Sequence, residues 1–249
     1  MSSEESLWCR RYLPVRDAPA RLVCLPHAGG SAPFFRPVAL GLGQGVDVVA
    51  VQYPGRQERR SEPPITDMTE LADRLTDVLR KQPELPTTLF GHSLGAVLAF
   101  EVAQRLEADG QPAVRIVASG RRGPATHREE QIHLLDDDGI LAELRKMNGT
   151  ASMLLDDEEL MRASLPALRA DYTAVERYSC GPDVSVSCPI SVLTGDSDPK
   201  TTLDEARAWE QHTSGGFEFQ VFQGGHFFLS ERPAEVMAVL KGYFGPARG

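Results

Sequence analysis

No stretch of the chain approaches the roughly 20 consecutive apolar residues of a membrane span. The opening "MSSEESLWCRRYL" turns from acidic to basic without the apolar core of a secretory leader, so the chain is read as cytoplasmic, with no membrane partner. Cysteine is sparse. Cys9, Cys24, Cys180 and Cys188 form no Cys-x-x-Cys pair and no zinc-like spacing with histidine, so they are expected to be reduced and structural, and no metal is expected. Positive charge is also short: 26 Lys and Arg face 35 Asp and Glu. The resulting net charge of -9 argues against a nucleic-acid partner, because phosphate needs a basic surface. A Walker loop and a His-Glu-x-x-His pair are both missing. "GLGQG" at 41–45 precedes an apolar run instead of following one, so it is no dinucleotide loop. Internal repeats and low-complexity linkers are missing too.

The 249 residues suffice for one large domain with a sizeable core. Short β-branched runs recur: "RLVCLP" (21–26), "VDVVAVQYP" (46–54), "TTLFGHS" (87–93), "VRIVASG" (114–120), "ISVLTGD" (190–196) and "FEFQVF" (217–222). Most are continuously apolar, as expected of strands covered on both faces. Helical patterns lie between them. "MTELADRLTDVLRK" sets Met68, Leu71, Leu75, Val78 and Leu79 on one face, with Thr66 or Asp67 as N-cap. Strand and helix in alternation give an α/β fold, a mostly parallel sheet flanked by helices. From about 121 to 179 the rhythm breaks. Two or three amphipathic helices are expected there as a lid inserted over one end of the sheet. Ile140, Leu141, Leu144 and Met147 share one face, and Leu165, Leu168, Tyr172 and Val175 another.

"TLFGHSLGAVLAFEVA" (88–103) passes from strand to helix through Gly91-His92-Ser93-Leu94-Gly95. In a nucleophile elbow the turn is so tight that its neighbours must be small, and Gly91 and Gly95 leave that room. The Ser93 hydroxyl then projects from the turn above free N–H groups at a helix start, where an oxyanion is favoured. A serine hydroxyl is a weak nucleophile and needs a base, itself oriented by an acid. Of six histidines, His226 is favoured, because "FQGGHFFLS" places it in a Gly-rich loop just past the last strand. The His92 side chain is expected to leave the turn in another direction, and His27 to shape its loop. His127, His133 and His212 sit in polar stretches and are expected to be solvated. The acid should come from "ISVLTGDSDPK", at Asp196 or Asp198. Asp198 is favoured, since Asp196 directly follows Gly195 and is placed to fix a turn. Ser, Asp, His is the chain order of the α/β-hydrolase triad. Two oxyanion donors are expected, the N–H groups of Leu94 and of Ala28 in "CLPHAGGSAPFF".

"LPHAGGSAPFFRPVA", "VQYPGRQER", "LFGHSLGA", "LTGDSDP" and "GGHFFL", in this order over nearly the whole chain, resemble the type II (editing) thioesterases of polyketide and nonribosomal peptide assembly lines. The resemblance matches Ser93, Asp198 and His226 to the family triad and Ala28 and Leu94 to its oxyanion positions. It implies an α/β-hydrolase fold, a helical lid over approximately 121–179 in a single domain, and hydrolysis of acyl groups from the phosphopantetheine arm of acyl or peptidyl carrier proteins. No cofactor of the enzyme's own is implied, and a monomer is expected. Met147, Leu165, Leu168 and Tyr172 would line the acyl chamber. Carrier proteins are generally acidic, as is this chain, so docking would need a local basic patch; Arg121, Arg122 and Arg128, or Arg56, Arg59 and Arg60, are candidates. A carboxylesterase, an acyltransferase or a catalytically silent carrier-binding scaffold would share part of this pattern.

Overall fold

The computed structural model describes residues 3–148 and 158–245. Seven strands form one sheet: β1 (Cys9–Arg10), β2 (Arg21–Leu25), β3 (Asp47–Val51), β4 (Thr87–His92), β5 (Arg115–Ser119), β6 (Ile190–Gly195) and β7 (Phe217–Phe222). Their order is β1-β3-β2-β4-β5-β6-β7, and every pairing is parallel except the antiparallel contact of β1 with β3. The six runs read as strands are the six parallel ones. The N-terminal pair, helix α1 (Ser3–Trp8) and β1, was not foreseen. A two-residue strand has no periodicity of its own, and β1 is set by its register on β3, Cys9 opposite Val51.

Strands β2 to β6 are buried on both faces, which is why they read as apolar runs, whereas the edge strand β7 is largely exposed or half-buried. Val23, Leu25, Val49 and Val51 join a core with helices α3 (Met68–Arg80) and α4 (Leu94–Ala108). Their neighbours Leu22, Cys24, Val48 and Ala50 point to the other face, packing with α2 (Arg36–Leu42) and the helix Pro233–Phe244. Helix α3 starts where Asp67 accepts a 2.8 Å bond from the Glu70 N–H, a standard N-cap. The four cysteines are free thiols, and burial pushes Cys9 and Cys188 up to about 11, which leaves them unreactive.

Between β5 and β6 the described residues contain no strand. They form α5 (Asp137–Asn148) and α6 (Glu158–Glu176) after a short 3₁₀ turn, Ile132–Leu134. Arg169 of α6 donates to the His133 carbonyl at 2.8 Å, the Leu135 carbonyl at 2.5 Å and Asp137 at 2.7 Å. Glu176 accepts from the N–H groups of Ile132 and His133 at 3.0 and 3.2 Å. These bonds stitch the helical segment to itself. No helix among the described residues is long and apolar enough to cross a membrane.

Candidate active site

Parallel strands deliver their loops to one rim, the C-terminal ends, and the candidate residues gather there. Ser93 lies between β4 and α4 with φ 55° and ψ -115°, a strained conformation that few non-glycine residues adopt. The strain is enforced by crowding. A Cβ on Gly91 would sit 2.0 Å from the Gly95 carbonyl oxygen, and one on Gly95 would sit 2.0 Å from that of Leu25. The Ser93 N–H is anchored to the Ser119 carbonyl at 2.8 Å, and α4 begins at Leu94. The positive end of α4 therefore lies directly beneath the hydroxyl.

The loops after β6 and β7 meet beside it. Nδ1 of His226 lies 2.8 Å from Oδ2 of Asp198, both side chains buried. With the carboxylate as acceptor, Nδ1 carries the proton and Nε2 keeps its lone pair. Asp196 does different work: its Oδ1 accepts from the Gly224 N–H at 3.0 Å and ties the strand end to the histidine loop. Asp198 also accepts from the Lys200 N–H at 2.8 Å, which fixes its rotamer.

Ser93 and His226 line one small cavity with His27, Ala28, Arg121, Met147, Tyr172 and Val175 among its walls. Its volume is about 30 Å³, room for a water or two. A larger cavity, about 360 Å³, opens at the other end of the strands around Arg21, Pro86 and Gln111. Its lining holds no serine, cysteine or histidine, so size does not mark the site. Of the four lid residues expected in the acyl chamber, Met147 and Tyr172 line the cavity near Ser93. Leu165 and Leu168 do not; both belong to the packed core, and Leu168 closes on Gly29 of the preceding loop.

Three imidazoles pack together at the rim. The His92 ring centroid is 5.1 Å from that of His226 and 5.8 Å from that of His27. The His92 ring lies buried against His226, with Nδ1 3.0 Å from the Ser119 hydroxyl on the neighbouring strand β5. Burial, reinforced by the nearby His226, pulls His27 down to about 3 and His92 well below the usual histidine value. Both stay neutral near pH 7. Of the three, His226 alone has a carboxylate partner.

Other expectations need correction. His212 is buried against Phe100 and Trp209, with Nδ1 2.7 Å from the Val184 carbonyl, and His133 pairs with Glu176 at 2.5 Å; only His127 is exposed. The arginines proposed for docking are mostly committed. Arg56 pairs with Asp171, Arg59 with Glu62, Arg122 with Glu130, and Arg128 with Glu205, the first three being buried. Arg121 lines the cavity, and Arg60 is exposed. Asp171 escaped notice although its position was informative: it falls three residues after Leu168 and four before Val175, a carboxylate on an apolar helix face.

The thioesterase domain family model matches residues 20–243. A "probable cadicidin biosynthesis thioesterase" of Streptomyces griseus is 54% identical over 224 residues, covering 90% of this chain and 62% of its own length. The chain therefore spans less than two thirds of that relative. Thioesterase PikA5 of Streptomyces venezuelae is 42% identical over 253 residues, 100% of this chain and 89% of that protein. The solved type II thioesterase BorB, from the borrelidin biosynthetic cluster, superposes with a TM-score of 0.91 at 47% identity, over 96% of this chain and 98% of its own. The motif resemblance is borne out by a match along the whole sheet and its loops, and the chain belongs to the thioesterase family, in its type II group.

Proposed function

We propose that this protein hydrolyses acyl thioesters carried on the phosphopantetheine arm of acyl or peptidyl carrier proteins, clearing stalled or misloaded assembly lines. The single observation that carries the chemistry is the 2.8 Å His226–Asp198 pair, with His226 lining the same cavity as Ser93. The kinship with PikA5 and with BorB of a borrelidin cluster supports the substrate class.

In this reading Ser93 Oγ attacks the thioester carbonyl while His226 Nε2 takes its proton. Asp198 stabilises the resulting imidazolium. The N–H groups of Ala28 and Leu94 hold the oxyanion. The sulfur leaves as a thiolate, whose conjugate thiol has a pKa of about 8.5, so departure needs little acid assistance. Water, deprotonated by the same histidine, then attacks the acyl-serine and releases the carboxylic acid.

Helices α5 and α6 act as the lid of a single domain. They contribute Leu144, Met147, Tyr172 and Val175 to the cavity, and a space of about 30 Å³ must widen before more than a short acyl stub can enter. Their displacement is the simplest way to widen it.

The test is intact mass spectrometry of an acylated carrier protein after incubation with the enzyme. Loss of the acyl mass with wild type, and its persistence with Ser93→Ala, is expected. Equal loss with both proteins overturns the reading. A simple ester cleaved faster than the carrier-bound thioester would favour a carboxylesterase.

A further inference from the structure

His27, Ala28, Gly29 and Gly30 form a tight turn, closed by a 2.9 Å bond from the Gly30 N–H to the His27 carbonyl, with Gly29 at φ 73°. Positive φ at its third residue is the mark of a type II turn. The Gly29 N–H belongs to the central peptide of that turn, the unit that flips between the two common turn forms. It donates to Asp171 Oδ2 at 2.7 Å. The carbonyl of Gly30, the last residue of the turn, accepts from Arg56 Nη1 at 3.1 Å. The same guanidinium grips the carboxylate twice, Nη1 to Oδ2 at 2.6 Å and Nη2 to Oδ1 at 2.8 Å.

Arg56 is 8% exposed and Asp171 2%, so this is a desolvated pair. A buried ion pair adds little net stability over apolar side chains of the same volume, so stability alone is a poor reason for it. What it holds is more telling. The Ala28 Cα joins the central peptide to the peptide bearing the Ala28 N–H, so freedom in one becomes freedom in the other. Asp171 arrives from α6, whose Tyr172, Val175 and Glu176 line the cavity beside Ser93. Leu168, one turn earlier, is so close that a Cβ on Gly29 would lie 2.7 Å from its Cδ1. The turn and α6 are thus in direct register.

We propose that Arg56 and Asp171 are a positioning pair that sets the Ala28 N–H for the oxyanion and makes this donor depend on the seating of α6. This rests on the serine-hydrolase reading given above. An α6 lifted to admit a bulky group carries Asp171 with it and releases the turn. Full oxyanion stabilisation is restored only when the helix settles over the bound acyl group.

The experiment uses the full chain and a short acyl thioester, with Asp171→Asn, Arg56→Ala and Arg56→Lys. Asn keeps an acceptor for the Gly29 N–H and loses the charge; Lys keeps the charge and loses the bidentate grip. For each, kcat, KM and melting temperature are measured. So are inhibition by a trifluoromethyl ketone analogue, which forms a tetrahedral adduct on Ser93, and binding of the unreactive amide analogue. A fall in kcat of about tenfold or more is expected for Asp171→Asn and Arg56→Ala, in line with the cost of small misplacements at a reacting centre. Ketone inhibition should weaken by the same factor, amide binding should change less than twofold, and Arg56→Lys should recover part of the loss. Folded variants with unchanged kcat overturn the proposal. So does a fall in kcat without weaker ketone inhibition, or equal weakening of ketone and amide. Should Asp171→Asn fail to fold, Arg56→Lys decides by the same criteria. Ser93→Ala separates the two levels: wild-type turnover in it defeats the hydrolase reading itself, whereas an inactive Ser93→Ala beside unaffected pair variants defeats only the positioning role.

Discussion

At Ser93 the backbone has no room to give, since one added carbon on Gly91 or Gly95 would meet a carbonyl oxygen at 2.0 Å. Across the cavity, α5 and α6 bury one apolar face in the core but are tied together on their outer side by charged hydrogen bonds, several of them at the surface: Arg169 to Asp137, Arg162 to Asp138, Lys200 to Glu130 and Glu143. Steric enforcement gives one geometry or none. Charged contacts with partial water access are individually weak and are screened by salt. The contrast suits a site whose chemistry needs a fixed hydroxyl while its cover must admit cargo.

The contrast is broken most severely at the acid. Asp198→Asn should lower kcat by about 10⁴-fold, because the imidazole then loses its tautomer and its counter-charge. Asp196→Asn, which touches only the Gly224 N–H, should cost less than about tenfold. Steady-state turnover of both variants checks this, and similar losses would erase the distinction between them. Next in size, Gly95→Ala should destabilise the fold by about 4 kcal/mol or more, since the clash is with backbone that cannot step aside. Urea unfolding measures it, and a mild effect would show that the elbow is softer than its packing implies.

A smaller effect comes from the neutral histidines. His27 is held at about 3 when folded and titrates near 6.5 when unfolded. Between those values the unfolded chain binds the extra proton, so stability is complete above pH 6.5 and declines as pH falls toward 3. His92, lowered in the same direction, adds to this decline. The slope is about 1.4 kcal/mol per pH unit for each such group well inside the window. His27→Gln should flatten the acid limb of a melting-temperature profile by one proton; an unchanged limb would mean the ring is protonated in the fold. Smallest is Arg169→Ala, about 1 to 2 kcal/mol for three hydrogen bonds at a half-exposed site. It should speed amide exchange in Asp137–Asn148 and Glu158–Glu176 while leaving Thr87–His92 and Leu94–Ala108 protected. Equal acceleration everywhere would deny that the two regions are separately held.

The same division decided what the sequence disclosed. Strands buried on both faces announce themselves by continuous apolar runs, and the glycines around Ser93 announce a turn only small residues can make. The sequence favours Asp198 over Asp196 without separating them by physics alone; the structure pairs Asp198 with His226 and gives Asp196 the turn bond to Gly224. Long-range packing was not legible. Nothing local in "HLLDD" or "WEQHT" shows that His133 meets Glu176 or that His212 is buried against Trp209. Arg56 looked like a surface charge in a polar loop because its partner is 115 residues away. Only the misplaced carboxylate at Asp171, on an otherwise apolar face, carried a trace of that pairing.

The most direct measurement is rapid-quench mass spectrometry of the enzyme itself during turnover of a short acyl thioester, followed by peptide mapping. A transient gain of one acyl mass on the peptide containing Ser93, missing in Ser93→Ala together with turnover, is the expected result. Continued hydrolysis by Ser93→Ala, or an acyl group mapped to another side chain, would contradict it.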